Sequence, residues 1–78
     1  MLRFLRLNEV LFHSTDARTT HYQKIDEGVM TPPVKTGARS VAWPEHEIQR
    51  ILAARLAGRT DDEIRELVRE LIAARGDE

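Results

Sequence analysis

Between positions 18 and 24 the chain sets a guanidinium, two hydroxyls, a phenol, an amide and an ammonium: Arg18, Thr19, Thr20, Tyr22, Gln23 and Lys24. These are the groups that address a nucleic acid. An arginine fork pairs with the O6 and N7 edge of guanine, and threonine meets a phosphate oxygen or a thymine methyl. Gln23 can add a base contact and Lys24 a phosphate contact, while the Tyr22 ring is expected partly buried with its hydroxyl free for a phosphate. Two further cations, Lys35 and Arg39, flank Gly37, where a hairpin tip can carry positive charge to the backbone or into the minor groove. The plain alternatives are an ordinary polar helix face and charged protection of a strand edge.

The other reactive side chains assemble into nothing comparable. His13, His21 and His46 are spaced like no metal-ligand set, and the chain has no cysteine to complete one. His13 with Ser14 and Asp16 has the residue types of a hydrolytic triad, but neighbours in sequence cannot reach triad geometry. Neither enzymatic activity nor a cofactor is expected. Phe4, Phe12 and Trp43 are too few and too scattered for a surface that stacks single-stranded bases. Trp43, directly before a proline, is expected in the core.

The elements that must hold these groups belong to one small domain. A chain of 78 residues buries only roughly 60% of its unfolded surface, which leaves little room for an enclosed catalytic pocket. With 41% hydrophobic and 32% charged residues, it reads as a soluble globular chain rather than a disordered one. No apolar run approaches the ~20 residues of a membrane span. The first seven residues are too short, and too interrupted by Arg3 and Arg6, for a signal peptide, so a cytoplasmic location is expected. The net charge of −1 is unevenly spread. Residues 1–40 carry six Lys/Arg against four acids, and residues 41–78 six against nine. The basic half is the half with the candidate contacts.

The clearest element is the last. Thr60-Asp61-Asp62-Glu63 has capping-box spacing, and Ile64, Leu67, Val68, Leu71 and Ile72 follow as an apolar helical stripe ended by Gly76. That stripe is expected either to close the core or to form a homodimer interface. Pro44 and two acids start a helix that Gly58 ends. Toward the N-terminus, Asn8 is expected to cap a short helix over residues 9–13. Ser14 or Asp16 is expected to cap a second one, over about 17–27, that stops at Gly28. Between the halves, Val34 and Thr36, then Arg39 and Val41, alternate around Gly37 as a small β-hairpin. The order is helix, tight turn, helix, hairpin, helix, helix: a helix-turn-helix whose second helix can enter a major groove, followed by a wing.

The segments Phe4-Leu5-Arg6-Leu7-x-Glu9-Val10-Leu11, Arg18-x-Thr20-x-Tyr22, Glu27-Gly28, Pro33-Val34-Lys35-x-Gly37-x-Arg39-x-Val41-x-Trp43-Pro44 and Glu47-Ile48 together resemble the AlpA family of prophage regulatory proteins. The resemblance runs from residue 4 to about 57. It implies a winged helix-turn-helix of the excisionase/MerR-like type, mainly α with a small β wing, and regulation of phage or mobile-element genes through bound DNA. The chain departs from the family pattern in its reading head. Thr15 and Asp16 stand where a glycine and an apolar residue are usual, and Ala17 where a small hydroxyl residue caps the helix. His21 and Lys24 take positions usually apolar, and Pro32 one usually basic.

The expectation is therefore a DNA-binding domain over 1–58, followed by an amphipathic helix over 59–78 that packs on it or mediates dimerisation. The partner is double-stranded DNA, bound by a homodimer or by adjacent copies. The task is transcriptional regulation or, alternatively, excision beside an integrase or recombinase. A protein-interaction module that has lost DNA binding is the reading from a different class.

Overall fold

The computed structural model describes residues 2–77 and is mainly helical. Its elements run β1 (Phe4–Leu5), α1 (Leu7–Ser14), α2 (Arg18–Asp26), β2 (Val34–Lys35), β3 (Val41–Pro44), α3 (Glu45–Leu56) and α4 (Asp61–Ala74). A 3₁₀ turn over Arg75–Asp77 follows. The β2–β3 hairpin is the expected wing, and the whole is a winged helix-turn-helix with an added C-terminal helix.

The sheet holds one more strand than the sequence reading expected. β1 pairs antiparallel with β3, Phe4 opposite Pro44 and Leu5 opposite Trp43, so β3 lies between β1 and β2. The Glu45 N–H, donating to the Arg3 carbonyl at 2.7 Å, continues that ladder into the start of α3. On the other side Val34 faces Ala42 and Lys35 faces Val41.

This pairing moves the start of α1. Arg6, still extended as it leaves the sheet, takes the N-cap position expected of Asn8, and its backbone N–H donates to the Glu9 carboxylate at 2.9 Å. Pro44 likewise ends β3 and caps α3 rather than opening it. At the far end α4 stops at Ala74, two residues before Gly76, and tightens into the 3₁₀ turn.

The core gathers around Trp43. Leu5, Val10, Val29, Met30, Ile48 and Ile51 join Ile64, Val68 and Leu71 of α4 in one cluster of buried side chains. The Trp43 indole N–H donates to the Thr31 carbonyl at 2.9 Å, which gives its polar atom a partner where water is absent. Of the five stripe residues considered for a dimer interface, Ile64, Val68 and Leu71 are thus committed within the chain. Leu67 is half-buried and Ile72 faces outward. The stripe closes the core against side chains from β1, α1, the segment after α2, β3 and α3.

Candidate nucleic-acid interface

Residues 15–17 join α1 to α2. Thr15 carries φ +60°, the left-handed conformation that ends α1, and its N–H donates to the Leu11 carbonyl at 2.8 Å. A β-branched residue holds that conformation at a cost glycine avoids. The turn also disposes of the two capping expectations. Ser14 Oγ accepts from the Asp16 N–H at 3.3 Å, inside the turn. The Asp16 carboxylate lies 2.8 Å from Lys24 Nζ, one helical face away. Ala17 is left as the N-cap, without a side chain that can hydrogen-bond the first turn.

α2 turns His21 inward. Its ring is fully buried, edge-on to Trp43 with centroids 4.9 Å apart and to Tyr22 at 5.5 Å. Neither ring nitrogen has a hydrogen-bond partner among the described residues. Burial holds the imidazole below its ordinary pKa; nearby Asp16 opposes that shift and Lys24 adds to it. His21 thus occupies a core position as a neutral aromatic ring, which is why a polar residue there does not unmake the helix.

The opposite face is open. Thr19, Gln23 and Asp26 recur at i, i+4 and i+7, and all three are exposed, as helical geometry requires for residues turned away from His21. Arg18 and Tyr22 flank this row on one side, Thr20 and Glu27 on the other, all exposed. Lys24 stands apart: half-buried and held by Asp16, it spans the turn instead of reaching outward. The charge along α2 is therefore graded. Arg18 sits at the N-terminal end, while Asp26 and Glu27 close the C-terminal end with negative charge.

The wing carries Lys35 and Arg39 on either side of its tip, both exposed. The Thr36 N–H donates to the Ser40 carbonyl at 2.9 Å, closing the loop on which Gly37 and Ala38 are also exposed. Seven of the eight side chains singled out from the sequence are therefore exposed on two elements, α2 and the hairpin.

Sequence reasoning missed the groups that hold these elements. Arg65 of α4 donates from Nε to the Glu27 carbonyl at the end of α2 (2.9 Å) and from Nη1 to Asp62 (2.8 Å). Arg75 grips Glu47 with two hydrogen bonds, Nε to Oε2 at 2.8 Å and Nη2 to Oε1 at 2.6 Å, and Nη2 also reaches the Pro32 carbonyl at 2.8 Å. Glu47, which looked like a first-turn acid complementing the helix dipole, is fully buried. Separations of 28 to 43 residues leave no local pattern from which such partners could be read.

Residues 3–56 match the family described as "Prophage CP4-57 regulatory protein (AlpA)". A protein of Enterobacteria phage P4, described as "Uncharacterized protein ORF88", is 40% identical over 57 residues, covering 73% of this chain. The chain spans 65% of that relative's length. No solved structure matches.

Proposed function

The chain belongs to the AlpA family of prophage regulatory proteins, and from that premise we propose that it is a sequence-specific regulator that binds double-stranded DNA. The observation that carries the reading is the exposed N-terminal half of α2, where Arg18, Thr19, Thr20, Tyr22 and Gln23 stand clear of the core beside a hairpin bearing Lys35 and Arg39.

Arg18 and Gln23 are assigned to base edges, Thr19, Thr20 and Tyr22 to phosphate or a thymine methyl, and Lys35 and Arg39 to the adjacent backbone or minor groove. The acids at Asp26 and Glu27 repel phosphate, so the N-terminal end of the helix enters the groove and its far end tilts out. Lys24 serves the turn through Asp16 rather than the DNA. The family is regulatory rather than enzymatic, and the mechanism assigned is occupancy of a promoter or of an attachment site used by a recombinase. One chain presents one reading helix, so tight binding calls for two copies on neighbouring sites. No helix among the described residues is long and apolar enough to cross a membrane, and the regulator is assigned to the cytoplasm.

The test is fluorescence anisotropy against a duplex selected from a random pool and a scrambled duplex, across a salt series, with Arg18→Ala alongside. Selective binding is expected, with log K falling by about 0.9 per phosphate contact against log salt. Arg18→Ala should lose about 1–3 kcal/mol of discrimination, the worth of one bidentate base contact. Absence of binding to either duplex at low salt overturns the assignment and points to a protein partner instead.

A further inference from the structure

We propose that α4 with the 3₁₀ turn that follows it is a two-point brace, with Arg65 and Arg75 as the positioning residues that set the reading helix against the wing; this rests on the DNA-binding reading above.

α2 and β2 are joined by residues 27–33, which form no ladder or helix of their own. Two carbonyls lie toward the ends of that connection, Glu27 where α2 stops and Pro32 two residues before β2. Each receives a guanidinium from the C-terminal segment: Arg65 on Glu27, Arg75 on Pro32.

The two attachments share one plan. A carboxylate orients the guanidinium, and a free N–H then meets the carbonyl. Asp62 does this for Arg65, and the buried Glu47 of α3 for Arg75. Arginine suits the task because its planar fork serves two acceptors in fixed directions, which an ammonium does not. The Arg65 stem also lies over Gly28, with Cγ 3.6 Å from where a Cβ would stand, so the chain reversal after α2 is held from outside. Ten residues separate the arginines, about 15 Å along a helix at about 1.5 Å per residue. A rigid rod with a grip near each end fixes the spacing of the two carbonyls, and with it the angle between α2 and the hairpin. The family match ends at residue 56, so both grips come from sequence beyond it.

The absence of cysteine makes the test direct. Asp26→Cys and Ala38→Cys place nitroxide labels on exposed positions of α2 and the wing tip, and electron–electron double resonance reads their separation. This pair is measured in the full chain, with Arg65→Met, with Arg65→Lys, and with Arg75→Met combined with Glu47→Leu. The last pairing removes both partners so that the buried Glu47 carboxylate is not stranded. A single narrow distance is expected in the parent, and a broadened or displaced one in the Met variants, with Arg65→Lys intermediate. Without the labels, the same arginine variants should lose about tenfold in preference for the selected duplex, the scale of one misplaced base contact, while keeping the parent's salt slope. A merely stabilising role would lower the melting temperature and leave both distance and preference intact in the folded protein. An unchanged distance in folded variants overturns the brace, and so does a broadened distance with preference retained. If the parent binds neither duplex, the DNA reading fails by itself and the distance measurement still decides whether the rod sets the two elements.

Discussion

Helix α4 opens on Thr60, whose hydroxyl accepts from the Glu63 N–H at 3.2 Å while Glu63 accepts from the Thr60 N–H at 2.9 Å. Helix α2 opens on Ala17, which has no side chain to accept from the first turn. α4 buries three aliphatic side chains on one face; α2 fully buries only a histidine. α4 is organised by its own residues and α2 by its neighbours: Trp43 beneath His21, Asp16 on Lys24, Arg65 on its final carbonyl. The difference follows from what each helix carries. A helix whose exposed side is given to hydroxyls, an amide and a guanidinium has few positions left for its own stability. The chain supplies that stability from a helix with a full apolar face.

Removing residues 59–78 attacks this dependence most directly. It strips Ile64, Val68 and Leu71 from the shared core together with both arginine grips. Losing even one such aliphatic side chain costs about 2–5 kcal/mol, against a total stability of roughly 5–15 for a typical domain. The shortened chain is expected to show neither cooperative thermal unfolding nor dispersed amide resonances. A cooperative transition in residues 1–58 would break the comparison, because α2 would then stand without its support.

The two caps sharpen it with opposite signs. Thr60→Ala should lower stability by about 1 kcal/mol, and Ala17→Ser should raise it by a similar amount, provided the introduced hydroxyl takes up the capping rotamer. In a chain of this size each corresponds to roughly 4–8 °C in melting temperature, read by calorimetry. Equal losses at both sites would mean that α2 is already capped by a group other than its N-cap side chain.

The smallest effect expected is the pH dependence of α2's buried contact. Because burial holds the His21 pKa below its ordinary value, the unfolded chain takes up the proton first as pH falls. The stability due to the neutral ring is whole above about pH 6.5. It declines as pH drops below that and is spent once the folded value is passed. His21→Leu should flatten this part of a melting-temperature profile, the control being Asp16→Asn, which removes the carboxylate that favours the charged ring. An unaltered slope in His21→Leu would place the titration elsewhere.

What can be read from the sequence divides along the same line. The capping box at Thr60, the apolar period after it, the glycines at 28 and 58, and the hairpin around Gly37 all use residues within a few positions of one another. Each was legible for that reason. β1 is two residues long and finds its partner far along the chain, on β3, so neither length nor period announces it. Glu45 and Glu47 look equivalent in sequence, yet Glu45 forms a surface pair with Arg3 at 3.7 Å and Glu47 is buried against Arg75. Lys24 looked like a phosphate contact because nothing in the pattern tells a cation facing outward from one folded back onto Asp16. The exposed face of α2 was legible as chemistry, whereas the means of holding it was not.

The pairing of Leu5 with Trp43 also governs when this molecule can come into being. As the chain leaves the ribosome, α1 and α2 emerge first, but the strand that sits beneath them does not exist until residue 44 is made. The tie to Arg75 waits longer still, until residue 75 has been added. Contacts of such sequence separation form late, after much chain entropy has been lost, and a small domain of this kind folds as a unit. A fragment that stops short of these contacts therefore carries the residues of α2 without their support. The exposed face of α2 gains its full support only once residue 75 has left the ribosome, and shorter products lack it.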